Sequence, residues 1–210
     1  MNATAGYPKV KYRSKSSGAV SNAGMLAAGG DCPADVVMLR ARPHLFGKVA
    51  SDPTVSRIID DLASDPATAI AGIAAARAHA RAAAGRLPGG ALPEVGGRLI
   101  VDLDATLVAS HSEKELAAPN YKRGFGFHPI LAFADHGAGG TGAPLAGILR
   151  PGNAGSNTAT DHVAVTELAL AQLDCRQRGR VLIRADSAGG TKAFTHYLTD
   201  GKLAYSVGFP

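Results

Sequence analysis

The sequence predicts a mixed α/β protein, a β-β-β-α-β-α-β core with a mixed sheet, preceded by a small helical region. Three observations lead there. Apolar residues recur at helical spacing up to Ala84. A Gly- and Pro-dense stretch, "GRLPGGALPEVGG" (85–97), then interrupts the chain and reads as a linker. Beyond it, apolar and polar residues alternate in strand-like runs over residues 98–210. At 210 residues and 46% hydrophobic content the chain can bury a real core, in one or two domains.

Residues 1–30 are rich in Gly, Ser, Ala and Asn and carry Lys9, Lys11, Arg13 and Lys15, with no acid before Asp31. That composition is expected to form a flexible basic arm suited to lying along phosphates. Helical patterning runs from Asp31 to Ala84. "DCPADVVMLRARPHLFG" (31–47) offers Asp31 as a cap, Pro33 in the first turn and a stop at Gly47. "SDPTVSRIIDDLASD" (51–65) repeats the scheme, with Ser51 or Asp52 as cap and an apolar stripe of Val55, Ile58, Ile59 and Leu62. "PATAIAGIAAARAHARAAAG" (66–85) is an Ala-rich third helix. Two short helices joined by a turn have the layout of a helix-turn-helix module. Such a module lays its second helix in the major groove of double-stranded DNA, here with Thr54, Ser56 and Arg57 near the leading end.

After the linker, strands are expected over 98–109, 127–136 and 143–152, the last two separated by the turn-rich "GAGGTG". A helix follows over 158–174, with Val163, Leu168, Leu170 and Leu173 as core positions. A strand (180–186), a helix (189–201) and a last strand (203–209) complete the series, without internal repeats.

The net charge of +5 suits a polyanionic partner, although solubility alone accounts for such a value. Cys32 and Cys175 are isolated, as expected of reduced thiols in the cytoplasm. No run reaches the 18–20 apolar residues of a membrane span, and the N-terminal residues lack a secretion signal's apolar segment. Trp is absent and aromatics make up 5%, which argues against base stacking as the main binding mode.

The chemistry concentrates in "LIVDLDATLV" (99–108). In a strand, Asp102, Asp104 and Thr106 share one face while Val101, Leu103 and Ala105 take the other. A second apolar strand, in "RVLIRADSAGG", delivers Asp186 into a Ser/Gly turn. If the two strands are neighbours, Asp104 and Asp186 face each other, and anions that close call for a compensating cation. Mg²⁺ characteristically takes one or two carboxylates plus phosphate oxygens and water. Two chemistries fit. "VDLDATLV" resembles the motif of haloacid-dehalogenase-like phosphatases, which would make Asp102 a nucleophile and Asp104 an acid/base. Those enzymes open a parallel sheet, however, whereas the segments that follow here read as an antiparallel meander. A three-stranded meander followed by α-β-α-β is the order of the ribonuclease H-like fold, in which the first and fourth strands each carry a metal-binding aspartate.

"DLDATLVASHSEKE", "NYKRGFGFHPILAF", "LAGILRPGNAGSNTATDHVAV", "RVLIRADSAGGTKAF" and "LAYSVGF" together resemble, in order and spacing, DDE-type insertion-sequence transposases of the DDE domain group 1 class. "DCPADVVMLRARPHLFGKVASDPTVSRIIDDL" resembles their N-terminal DNA-binding region. The resemblance implies that Asp104 and Asp186 are catalytic carboxylates of a two-metal site using Mg²⁺ or Mn²⁺, acting in phosphodiester transfer at inverted-repeat DNA ends. Asp102 stands as an alternative first ligand or as a support for the site. Charge and position suggest Lys122, Arg123 and His128 as phosphate contacts and "RPGNAGSN" (150–157) as a loop approaching DNA. The family's third carboxylate, a glutamate on a helix beyond the last strand, is not within these residues, and Glu167 lies on a different helix. "SNAGMLAAGGDCPAD" joins regions that the family keeps further apart. These departures predict a truncated chain, inactive alone, that partners a second copy or the full-length transposase at the nucleoid. The alternative is a DNA-binding remnant that inhibits the full-length enzyme.

Overall fold

The computed structural model describes Ser21, residues 23–137, Gly140 and residues 142–209, in two compact units divided after Ile73. The basic residues of the expected arm, Lys9, Lys11, Arg13 and Lys15, lie outside the described residues.

In the first unit a helical turn at 23–27 is followed by a 3₁₀ turn (Pro33–Val36), α1 (Val37–Arg40), α2 (Pro43–Phe46) and α3 (Asp52–Ala63). The single helix expected over 31–47 is broken. Pro43 offers no N–H and excludes its predecessor from the helical region, so Arg42 sits at φ −131°, ψ 63°. The opening turn is tied by Asp35 rather than by Asp31. One carboxylate oxygen of Asp35 accepts the N–H groups of Asp31 and Cys32, each at 3.0 Å. These backbone donors hold the Asp35 carboxyl below its usual range. The unit's core is Met25, Val36, Leu39, Ala50 and Val55. Met25, within the stretch expected to be a free arm, is packed in this core. The apolar stripe of α3 also divides: Val55 and Ile58 are buried, whereas Ile59 and Leu62 are 38% and 40% exposed. A core of five residues covers only one side of a helix.

The helix α4 (Pro66–Ala84) ends where Gly85 follows. In the second unit five strands form one mixed sheet in the order β6-β5-β1-β7-β8. They are β1 (Leu99–Ala105), β5 (Ile130–Ala134), β6 (Ala143–Ile148), β7 (Val181–Ala185) and β8 (Ala204–Val207). β5 is antiparallel to β1 and β6, while β7 is parallel to β1 and β8. The period-two pattern explains the core directly. Leu99, Val101 and Leu103, with Ile130, Ala132, Ala134, Val181 and Ile183, are at most 3% exposed. They join Val165 and Ala169 of α5 (Ala159–Ala171) and Phe194 and Leu198 in a single cluster. A one-turn helix α6 (Cys175–Arg178) precedes β7, and α7 (Lys192–Asp200) carries Phe194 and Leu198.

Two features differ from the sequence expectation. The strand expected to run to Ala109 stops at Ala105, and β2 (Val108–Ala109), β3 (Ala118–Pro119) and β4 (Phe125–Phe127) form a separate small sheet. Segments of two or three residues are too short to show alternation. Gly126 is needed there: at φ 150°, a Cβ would lie 2.1 Å from the Val108 carbonyl oxygen. On α5, Leu168 is 42% exposed, and the buried face is His162, Val165, Thr166 and Ala169, continued by Leu173. Apolar residues are spread round that helix with no single stripe, so they do not fix which side turns inward.

β6 is an edge strand, and its exposed backbone is partly covered. Arg77 and Arg81 of α4 both donate to the Pro144 carbonyl, at 2.7 and 2.9 Å. The mixed five-stranded sheet with its helices is compatible with a ribonuclease H-like fold. No helix among the described residues is long and apolar enough to cross a membrane.

Candidate active site

Parallel pairing of β1 with β7 sets Leu103 opposite Ala185. The next residue on each strand is an aspartate, so Asp104 and Asp186 stand level where the paired strands end, on backbones about 4.8 Å apart in a sheet. The Asp104 carboxylate is exposed and has no hydrogen bond or ion pair with any described residue. Asp186 caps the short turn Ser187–Gly189, its Oδ1 accepting the Ala188 N–H at 2.9 Å, which orients the carboxylate. The glycines of "SAGG" make the turn possible, because a Cβ on Gly190 would meet the Gly208 carbonyl oxygen at 2.3 Å.

Two carboxylates on adjoining strand ends offer hard oxygen donors of the kind a divalent ion such as Mg²⁺ takes, so the donor types suit the metal chemistry that the sequence suggests. No third ligand is gathered with them among the described residues. Among the described residues, the one group of three potential ligand atoms lying mutually within 4.8 Å is Asp31, Cys32 and Asp35, in the other unit. The Asp35 carboxylate is there already committed to its own turn. Glu167 lies exposed on α5, where its charge raises the pKa of Tyr197 after the larger effect of burial.

Asp102 has a different environment. Its cross-strand partner Arg184 grips it with both sides of the guanidinium, Nε to Oδ1 at 2.5 Å and Nη2 to Oδ2 at 2.7 Å. Nη2 also reaches Asp135 Oδ2 at 2.8 Å. The hydrogen bond to Asp102 is the chief cause holding Arg184 more firmly protonated than usual. Asp135 is pulled below the usual carboxylate range, first by the Gly137 N–H on its Oδ1 and then by Arg184. A depressed carboxyl contributes stability that is present above its unfolded pKa of about 3.9 and lost as pH falls through the lower folded value. Arg184→Met is therefore expected to lower stability only modestly at pH 7, because the ion pairs are solvent-screened. Chemical denaturation at pH 7 and pH 2.5 checks this, with the difference between variant and parent shrinking at the lower pH.

A cleft of about 240 Å³ opens beside Asp186, lined among others by Tyr121, His128, Ser156, Asn157 and His162. Two of its walls are buried histidines. His128 is 2% exposed, and its Nδ1 bonds the Ala154 carbonyl at 2.8 Å. His162 is 3% exposed, and its Nδ1 bonds the Thr158 carbonyl at 3.0 Å. His162 escaped the sequence reading because a lone histidine on an apolar helix carries no spacing signal. The loop 150–157 is folded around Arg150, which is 3% exposed. Its Nε donates to the His128 carbonyl (2.9 Å), and Nη1 to the Gly155 carbonyl (3.0 Å) and to Asp161 Oδ2 (2.9 Å).

At the mouth of the cleft the turn 120–124 is held by Asn120 Oδ1, which accepts the N–H groups of Lys122 and Gly124 at 3.0 and 2.9 Å. It leaves Tyr121, Lys122 and Arg123 exposed, with Arg123 at φ 62°. Lys122 Nζ lies 5.7 Å from the centre of the Tyr121 ring. The remaining sequence candidates lie in the first unit on the leading turns of α3. Ser56 and Arg57 are exposed, Thr54 is half-buried, and Arg57 Nη2 donates to Thr54 Oγ1 at 3.2 Å.

Comparison with curated proteins finds no match. The profile described as transposase DDE domain group 1 matches residues 20–210. With an aspartate directly after the last paired residue on each of two central strands, and a family match over most of its length, the chain belongs to the transposase DDE domain group 1 family.

Proposed function

We propose that the chain acts on double-stranded DNA as a transposase of an insertion sequence, binding element ends and transferring phosphodiester bonds at Asp104 and Asp186. The register that sets these two carboxylates level carries the reading. When bound, Mg²⁺ or Mn²⁺ ions activate a water or a 3′-hydroxyl and stabilise the leaving oxygen. The protein's own part is positioning. The Ser187–Gly189 turn aims Asp186, and Asp104 keeps an unpaired carboxylate at the strand end. Asp102, engaged by Arg184, braces β1 against β7, which disfavours its use as the nucleophile of a haloacid-dehalogenase-like phosphatase. Lys122 and Arg123 are placed to meet phosphates, whereas buried His128 braces the loop 150–157.

The test pairs a gel shift with a nicking assay on a plasmid carrying the inverted repeats that flank the gene, with Mg²⁺ or Mn²⁺. Metal-dependent nicking supports the proposal. Retention of the DNA without nicking supports instead a binding-only protein that acts on a second copy or on the full-length transposase. The two-carboxylate donor set is the observation that favours this second reading.

For duplex recognition we assign α3, with Arg57 facing the groove and Thr54 and Ser56 beside it. Arg57→Ala is expected to weaken duplex binding about tenfold. The melting temperature should hold, because the exposed guanidinium bonds only its neighbour Thr54 among the described residues. Unchanged affinity in a gel shift would remove α3 from the interface.

A further inference from the structure

The end of the sheet away from the two carboxylates is basic. β1, β7 and β8 run parallel, so all three start there. Leu99 stands opposite Val181, and Leu182 opposite Ala204. Carried back, this register sets Arg98, Arg180 and Lys202 level, on backbones about 4.8 Å apart. Arg180 is engaged by Glu94 at 2.9 Å. Arg98 and Lys202 instead line an open groove of about 780 Å³, together with Arg178, the last residue of α6. Neither the Arg98 nor the Lys202 side chain has a hydrogen bond or ion pair with a described residue. Arg178 Nε donates to the Leu173 carbonyl at 2.9 Å, which fixes the guanidinium and leaves Nη1 and Nη2 without a described partner. Lys202 is held by the turn that ends α7. Its N–H donates to the Thr199 carbonyl and that of Leu203 to the Leu198 carbonyl, with Lys202 at φ 54°, where glycine is the usual residue. No carboxylate is among the described residues that line the groove. A groove walled by one sign of charge focuses its field and draws the opposite charge.

An acidic protein segment docking here would call for apolar anchors as well as charge. The lining offers little of that kind: Val181 is 2% exposed, and Tyr205 is its one exposed large apolar side chain. A phosphodiester backbone asks mainly for cations. We infer that this groove holds the phosphodiester backbone of a DNA segment other than the one at the carboxylates. This rests on the DNA chemistry proposed above. Six residue steps along β1, about 20 Å, separate Arg98 from Asp104, so the phosphates held here are not those being cut. Phosphate contacts carry no sequence information, so the groove takes DNA of any sequence.

The test measures binding of the full chain to a fluorescein-labelled duplex unrelated in sequence to the inverted repeats, by anisotropy in EDTA so that no divalent ion contributes. Salt is varied between about 50 and 200 mM, because each phosphate contact adds about 0.9 to the slope of log affinity against log salt. Arg98→Gln combined with Lys202→Gln should reduce that slope by about 2. Lys202→Gly alone should reduce it by about 1 without lowering the melting temperature, since glycine suits the left-handed position. Arg86→Gln removes an exposed charge outside this groove and should leave the slope unchanged. An unchanged slope in the double variant overturns the inference. An equal loss per charge in Arg86→Gln also overturns it, because net charge alone would then account for the effect. A labelled polyglutamate peptide is measured in parallel. If the double variant weakens binding of the peptide and not of the duplex, the groove serves an acidic protein and the inference falls. A gel shift with the inverted repeats that persists while the inference fails leaves the proposed function standing. Failure to bind either duplex removes both.

Discussion

Asp104→Asn and Asp186→Asn are each expected to lower metal-dependent nicking by about 10³-fold or more, with little change in thermal stability. The size follows from what is removed: a full negative charge at the point where a divalent ion has to be held, in a site with two carboxylates to begin with. Groups that merely support a metal ligand already cost 10- to 100-fold when lost. The substitution isolates charge from structure. Asparagine keeps the oxygen that accepts the Ala188 N–H, so the turn after β7 survives in Asp186→Asn. Asp104 has no described partner to lose. Comparable loss in both variants, with melting temperatures within a degree or two of the parent, is the expected pattern. Full nicking activity in either would take that residue out of the reaction.

The second large effect is on stability. Arg150→Met is expected to destabilise the protein by roughly 3–5 kcal/mol, because breaking a buried ion pair from one side strands what remains. The stranded groups are Asp161 and the carbonyls of His128 and Gly155. Nη2 of Arg150 is buried without a partner, so part of the desolvation cost is already uncompensated, and the lower end of the range is expected. Lysine should not rescue the loss, since one ammonium on a flexible stem cannot reproduce the fixed fork that reaches three acceptors. Urea denaturation checks the magnitude. A cost below about 1 kcal/mol would mean that the loop 150–157 does not depend on this side chain.

The aspartates of the candidate site were legible because two simple rules govern them: strand alternation sorts Asp104 from Leu103, and an apolar run ending in a Gly-rich turn flags Asp186. Asp102 looked equivalent to Asp104 in sequence. The difference between them is Arg184, 82 positions away, and no local pattern announces a partner at that distance. His162 and Leu168 exchanged places for a related reason. On a helix whose apolar residues are spread round its circumference, the inward direction is set by the sheet beneath it, not by its own periodicity. The break at Pro43 was readable in principle, from the restriction that proline places on the residue before it. The small sheet of β2, β3 and β4 was not, since its strands span two or three residues each.

The pairing of β1 with β7 has a consequence for folding. The hairpin of β5 and β6 joins near neighbours in the chain, whereas β1 and β7 must close a loop of about eighty residues before any contact between them repays the lost entropy. The carboxylates sit at the end of that most distant pairing. A chain that has collapsed but not yet docked β7 holds Asp104 without its counterpart and lacks the paired charges that attract a divalent ion. Under the proposed function, metal-dependent cleavage therefore has to wait for completion of the sheet.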